Sequence, residues 1–481
     1  MAGPVHSSIP ESPKVAELDR ALNEIGVSKA HYGIILLILI GCLFDSFEQN
    51  AVGLVGPVLR EQWGLTATDI GMLNTVTFVF SALGRIISGW IADRYGRRVM
   101  LSVNLLLFTL GASICAAAPN FLVMAIGRAV VGFGLGGEVA IAVTLLAEVC
   151  SSKFRGTAVG LVNVGAGGLG NFLAPGFGLL VFTLFPGPDG WRWLFVCLVV
   201  PALLGAFYRR FIPETPRFLL SQDRIKDANV VLSKLAAGRL SGDVPYRAFI
   251  SDDGTAAPQQ RAKVRSSEIF RGELGRRTLP LCIAIWMTYG AQISVATLMP
   301  TILVGLGYTV SKSLLFTMVM QGGSLVGALA ASALGAKFPR KRVLTIGAVL
   351  ACAAALYIGF VAGSIVAILA CGAIFQMFVL MLNTTIWIYA PELYPTRVRA
   401  FGTAFILAVG TAAGAFMPLV AGRLLDAYGI TGVFAMVGLL YAVFTISIQT
   451  TPETFGRSPD SLRLPSDPAA DGEALAGVNA R

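Results

Sequence analysis

The chain has 481 residues, of which 55% are hydrophobic and 13% charged, against roughly 25% charged in soluble globular chains. Its mean hydropathy of +0.73 and its long apolar runs, such as 32–58 and 346–373, exclude a large soluble core, which needs more polar surface. The net charge of +10 does not indicate nucleic acid, because the basic residues sit mostly in short stretches between apolar runs, the distribution that orients a membrane protein.

A helix needs about 20 mostly apolar residues to cross the hydrocarbon core. The first such run begins near residue 32. It is longer than a signal-peptide core, lacks a clear small-residue cleavage site and is followed by many others. It is therefore expected to be the first transmembrane helix. His6 and His31 precede it, which argues against an imidazole relay inside the membrane. Spans are expected near 32–58, 68–92, 99–118, 121–148, 155–183 and 191–212, then near 277–305, 312–335, 342–363, 364–391, 398–424 and 429–450. The fold class is all-α membrane protein, with twelve transmembrane helices in two pseudo-symmetric six-helix halves. The expected organisation is a cytoplasmic tail (1–31), a first half (32–212), a cytoplasmic linker (213–276), a second half (277–451) and a cytoplasmic tail (452–481). The linker mixes both charge signs, contains Ser251-Asp252-Asp253-Gly254 and is expected to be partly helical.

Orientation follows from the basic residues. Arg94, Arg97 and Arg98 follow span 2, Lys153 and Arg155 span 4, and Arg209, Arg210 and Arg217 span 6. Lys337, Arg340, Lys341 and Arg342 follow span 8, and Arg397 and Arg399 follow span 10. The opposite loops carry only a few, such as Arg60, Arg192 and Lys312. Both termini and the linker are thus expected in the cytoplasm. The halves also repeat: a shift of 244 positions brings Arg98 onto Arg342, Val99 onto Val343, Glu148 onto Glu392 and Arg155 onto Arg399. Parallel repeats suit a transporter that rocks one half against the other.

The run from Gly89 through Asp93, Arg94, Gly96, Arg97 and Arg98 resembles the signature loop of the major facilitator superfamily. Glycine permits tight turns and close helix approach, Asp93 can accept from helix ends or arginines, and the basic cluster anchors the cytoplasmic face. Under the 244 shift Lys337 stands in the place of Asp93 and Arg340 in that of Gly96, so an Asp-dependent latch is expected only in the first half. Pro213-Glu214-Thr215-Pro216-Arg217, and Pro452-Glu453-Thr454 with Gly456-Arg457, resemble the sugar-porter-like branch. Glu148 with Arg155, and Glu392 with Arg399, complete that branch's charge set. The resemblance implies that these acids and arginines pair across helices in one state and separate in the other. Solvated pairs of this kind contribute roughly 1 kcal/mol or less, which suits a switch between states of similar energy.

A closer resemblance is to aromatic-acid and metabolite:proton symporters. Phe44-Asp45-Ser46-Phe47-Glu48 is similar to an Asp-Gly-Tyr/Phe-Asp signature, with Ser46 in place of Gly and Glu48 in place of Asp. Gly134-Leu135-Gly136-Gly137-Glu138 carries the rest. An ionised side chain at mid-bilayer costs about 2.5–3.5 kcal/mol on insertion scales, so Asp45, Glu48 and Glu138 are expected to face the bundle interior. Asp45 and Glu48 share a helix face. One or more of the three is expected to couple proton entry to substrate movement. The alternative is structural pairing with Arg85 or Arg128. The resemblance gives Arg128 a role in proton transfer or in pairing with a span 1 acid. Ten residues separate it from Glu138, about 15 Å along a helix, so each is expected to meet span 1 at its own depth.

The resemblance implies that spans 1, 4, 7 and 10 line the central cavity. Candidate substrate-binding residues there are Gln49 in span 1, Trp286, Tyr289 and Gln292 in span 7, and Gln376, Asn383 and Trp387 in span 10. Buried amides need partners, and aromatics with a few polar groups suit a small, partly apolar ligand. The glycine-rich 165–170 run is expected to allow close helix contact. The seven cysteines show no metal spacing and are expected to be small buried apolar residues. No Walker A sequence is present, which disfavours an ATP-driven pump.

The function expected is proton-coupled uptake of a small organic acid, aromatic or otherwise carboxylated, by alternating access. A sugar or polyol:proton symporter and a drug or metabolite exporter are the alternatives. No enzymatic activity, cofactor, metal or nucleic-acid partner is expected. The partners expected are the small-molecule substrate, the proton and the lipid bilayer. The chain is expected to act as a monomer in the bacterial inner membrane.

Overall fold

The computed structural model describes residues 13–454 except 152–153, 201–206, 208–209, 252–268, 336–337, 362 and 395. The first nine described helices in chain order are α1 (Pro13–Ile25), α2 (Lys29–Trp63), α3 (Ala67–Tyr95), α4 (Arg97–Ala117), α5 (Phe121–Val149), α6 (Arg155–Asn163), α7 (Asn171–Leu184), α8 (Gly190–Cys197) and α9 (Pro216–Ser221). They continue with α10 (Ile225–Ala236), α11 (Gly272–Gly305), α12 (Val310–Gly335), α13 (Arg340–Phe360), α14 (Ile365–Glu392) and α15 (Thr396–Gln449). A π-helical stretch, Val164–Gly170, joins α6 to α7.

Among the described residues ten helices are long and apolar enough to cross a membrane. One of them, α15, holds two of the expected spans, interrupted at Gly429, where φ is +65°. The sixth expected span begins as α8, and much of its remainder lies outside the described residues. Large apolar side chains such as Ile86 and Val366, each 72% exposed, face outward, as lipid-facing positions do. His31 lies in the first turn of α2 rather than ahead of it. It is buried, and its Nε2 meets the Val149 carbonyl at 3.2 Å. Cys42, Cys115 and Cys150 are buried, whereas Cys197, Cys282, Cys352 and Cys371 are only half-buried.

Local chemistry sets the helix starts. Thr66 accepts from Asp69 N at 3.1 Å while the Asp69 carboxylate accepts from Thr66 N at 2.9 Å, a reciprocal cap on α3. Asn120 caps α5 through Val123 N, and Ser364 caps α14 through Ala367 N.

The helices gather into two compact units. The first comprises Met1–Arg261, Ala296–Val319 and Pro418–Asp426; the second comprises Ala262–Val295, Met320–Met417 and Ala427–Arg481. Within the first unit α3 and α5 run in backbone contact: a Cβ on Gly136 would lie 1.9 Å from the Ser81 carbonyl oxygen. That approach is open only to glycine, and it holds the acidic stretch of α5 deep in the unit. At the start of α3, Asp426 accepts from Ala67 N (3.0 Å), Thr68 N (2.9 Å) and Thr68 Oγ1 (2.7 Å). Asn74 Nδ2 donates to Thr297 Oγ1 at 2.8 Å.

The linker is partly helical through α9 and α10, and the N-terminal tail contributes α1. Leu18, Ala21 and Leu22 of α1 join one apolar cluster with Leu232, Leu235 and Ile250 of the linker. Arg217–Asp19 (2.5 Å) and Arg247–Glu24 (2.9 Å) flank that cluster. Glu17 accepts from Ser251 N at 2.9 Å.

Candidate functional site

The acids of α2 and the arginine of α5 are brought together inside the first unit. Glu48 and Arg128 are both fully buried and form a direct ion pair. The guanidinium is held on two further sides: Nε donates to Thr77 Oγ1 at 2.9 Å and Nη2 to the Glu48 carbonyl at 3.3 Å. Thr77 in turn donates to the Leu73 carbonyl at 2.9 Å. Asp45 and Glu138, 2% and 1% exposed, face each other from α2 and α5, with Glu48 next to Asp45 on its own helix. Because Asp45 precedes Glu48 while Glu138 follows Arg128, the two contacts form successive layers. Arg85 of α3 points its Nε toward the Gly136 carbonyl at 3.4 Å.

Ser46, where the symporter signature has glycine, has a structural task. The π-helical stretch breaks the regular i to i−4 ladder. Ser46 Oγ donates to the Ala166 carbonyl in that stretch at 2.8 Å, as well as to Cys42 at 2.9 Å. Asn50 Nδ2 donates to the Ser46 carbonyl (2.8 Å) and to Asn171 Oδ1 (3.1 Å). Thr77, Asn50 and Asn171 are site residues that sequence reasoning missed. For Asn50 the available signal was a polar residue two positions from a buried acid; Thr77 and Asn171 lie on helices with no buried acid and offered none. Gln49 is exposed and takes no part in this cluster.

The second unit holds a neutral polar interior. Asn383 donates to Gln292 and accepts from Thr288 Oγ1 at 2.9 Å. Thr288 also meets Tyr441 Oη at 3.3 Å. Trp387 Nε1 donates to Tyr289 Oη at 2.8 Å, and Trp286 stacks on Phe416 with ring centroids 6.3 Å apart. Gln376 is buried, but its Oε1 has no hydrogen-bond partner and does not reach this group. Thr288 and Tyr441 were not anticipated, since neither stands out in an apolar helix.

Two charge networks at helix ends share most of their contacts. In the first unit Arg97 joins Asp93 (2.9 Å) and Glu148 (3.2 Å), and Thr215 Oγ1 donates to Glu148 at 2.5 Å. Glu214 sits on the first turn of α4, accepting from Arg97 N (2.9 Å), Arg98 N (3.3 Å) and Thr215 N (3.1 Å). Burial pushes the Glu214 carboxyl above its usual range, opposed by those N–H groups and by Arg97. In the second unit Arg340 joins Glu392 at 3.2 Å, and Thr454 Oγ1 donates to Glu392 at 2.5 Å. Glu453 accepts from Arg340 N, Lys341 N and Thr454 N, each at 3.0 Å. A carboxylate on a helix N-terminus is favoured by the free N–H groups and the helix dipole.

These contacts correct the repeat register. They equate Arg97 with Arg340 and Arg98 with Lys341, one residue off the 244 shift, although Glu148 still meets Glu392. Ala336 rather than Lys337 then corresponds to Asp93, and Pro339 to Gly96; Lys337 itself lies outside the described residues. The loops differ physically. Gly96 has φ +104°, and a Cβ there would lie 2.2 Å from Glu214 Oε2, whereas Pro339 has an ordinary φ of −57°. Gly89 has open space around it and makes no close helix approach. Arg94 lies over the Tyr95 ring, 5.7 Å from its centroid. Arg155 is not the partner of Glu148 here: it opens α6 with its Nε buried and unbonded. Arg217 pairs with Asp19 instead of joining Glu148. The side chain of Arg399 lies outside the described residues.

Twelve apolar spans, a buried acid–arginine interior and duplicated charge networks define a polytopic membrane transporter. The sequence matches the model of the Sugar (and other) transporter family over residues 30–462, and the chain belongs to that family. It is 29% identical over 450 residues to the niacin transporter NiaP of Acinetobacter baylyi, covering 93% of this chain and 100% of that one. It is 27% identical over 419 residues to a gallate transporter of Pseudomonas putida, covering 84% and 88%. The crystal structure of a D-xylose-proton symporter superposes with a TM-score of 0.69 at 18% identity, over 89% of this chain and 99% of that one. That likeness shows the fold.

Proposed function

We propose that this chain is a proton-coupled symporter that takes up a small carboxylic acid, aromatic or otherwise a carboxylated metabolite, by alternating access. The observation that carries the reading is the buried cluster of Asp45, Glu48, Glu138 and Arg128. Its acids outnumber its arginine, and an intramembrane ionisable cluster of this kind marks an ion pathway. Niacin and gallate, named for two relatives, are both aromatic acids, which supports the substrate class. The Tyr289–Trp387 pair and the Gln292–Asn383 amides supply aromatic faces and hydrogen bonds for such a ligand. The basic residues that follow the even spans put both termini on the cytoplasmic side of a bacterial inner membrane. The protein acts as a monomer, with no cofactor.

The neutral interior of the second unit also favours a second reading, a sugar or polyol symporter, because amides and hydroxyls suit a polyhydroxylated ligand. Proteoliposomes under an imposed inward proton gradient separate the two. Labelled nicotinate or a benzoate-type acid should accumulate, and hexoses and pentoses should not compete. Accumulation of a sugar, with no uptake of any acid, would reject the organic-acid reading.

A further inference from the structure

The three acids are not equivalent. Glu48 has the fixed Arg128 guanidinium, which is itself held by Thr77 and by the Glu48 carbonyl. That pair is charge-balanced without a proton. Asp45 lies one turn along α2 and faces Glu138 as well as Glu48. Its Oδ2 is buried and has no hydrogen-bond partner. Cys42 on its own helix also lies near it, whereas Arg128 is placed against Glu48 and Thr77 and Arg85 of α3 against the Gly136 carbonyl. The π-helical stretch and α7, which also pack on α2, carry no ionisable side chain. Even with Arg85 counted, three carboxyls share two guanidiniums. Two facing carboxyls in a low-dielectric site cannot both ionise at modest cost; one proton shared between them removes the repulsion and supplies the missing donor.

We infer that the Asp45–Glu138 pair retains and exchanges the transported proton at Asp45, while the Glu48–Arg128 pair stays ionised and positions the two helices. This rests on the proton-coupled reading above. The step is a simple transfer: an O–H bond forms at one Asp45 oxygen with a proton from water on the loading side. It breaks toward water on the releasing side. Ser46, between the two acids and anchored on the Ala166 carbonyl, keeps α2 against the π-helical stretch through this exchange.

Infrared difference titration of the purified full chain in nanodiscs tests the assignment without knowledge of the substrate. The wild type should show a protonated-carboxyl C=O band that titrates with pH. The band should be lost in Asp45→Asn. In Glu138→Gln it should persist with its midpoint moved toward acid by about one pH unit, because the neighbouring charge is gone. Glu48→Asp, which keeps the pair with Arg128, should leave the band in place. A band that survives unchanged in Asp45→Asn overturns the assignment, as does a wild type with no such band. In proteoliposomes Asp45→Asn should lose gradient-driven accumulation at least tenfold and still exchange labelled for unlabelled nicotinate. Gradient-driven accumulation retained in that variant also overturns it. A wild type that shows the band but transports no acid refutes the substrate reading alone.

Discussion

The interiors of the two units differ in kind. The first buries three carboxyls and an arginine among glycine-packed helices, whereas the second buries amides, hydroxyls and aromatic rings and no ion pair among its described interior residues. The helix-end networks, by contrast, are nearly the same in both, down to the threonine that donates to each glutamate. The repeat thus preserves the helix-end contacts while its interiors differ. A charged interior responds to protons, while a neutral one can recognise a ligand without doing so.

The largest effect should come from breaking the buried ion pair. Arg128→Met leaves Glu48 uncompensated and should cost about 3–5 kcal/mol, read as loss of folded protein in a detergent thermal-shift assay. The double variant Arg128→Met with Glu48→Gln should recover the fold but not transport. If the single variant is as stable as wild type, the first interior is not organised around this pair.

Next is the neutral interior. Asn383→Leu strands partners at Gln292 and Thr288, a loss of about 1–3 kcal/mol. Uptake kinetics should show a 10- to 100-fold rise in KM with the pH profile unmoved. A shifted pH profile would erase the division of labour between the units.

A smaller effect is expected from the duplicated networks. Glu148→Gln and Glu392→Gln each weaken one partly exposed pair, by about 1 kcal/mol or less, and should change the exchange rate by similar few-fold factors. An effect confined to one half would show that the repeated geometry is not a repeated function. The smallest change should follow Asp426→Asn. The amide keeps one acceptor at the start of α3 but loses the charge, a change of a few tenths of a kcal/mol. The measurement is a thermal shift of a degree or so, and a much larger shift would give this contact a weight its geometry does not suggest.

Much of the first interior was legible in the sequence because carboxylates are rare in apolar helices and stand out at once. Asp45, Glu48 and Glu138 could be named from that alone. What the sequence could not show was which acid meets which partner, since that depends on two helices passing each other at a chosen depth. Ser46 looked like a departure from a signature. The π-helical stretch, invisible to a 3.6-residue periodicity, explains why an oxygen is wanted there. The repeat was visible, but its register slipped by one at the loop, where Pro339 replaces the left-handed Gly96 and the chain takes another path. Thr215 and Thr454, which complete both networks, lay unremarked inside the Pro-Glu-Thr segments, and Thr288 and Tyr441 were hidden among ordinary apolar-helix residues.

The central claim is that the charged interior of the first unit couples the proton to the substrate. Proteoliposomes containing wild type or Asp45→Asn, given the same inward proton gradient and labelled nicotinate, test it directly. Wild type should concentrate the label above equilibrium and lose it when the gradient is collapsed, while Asp45→Asn should only equilibrate. Equal concentrative uptake by both proteins would contradict the account.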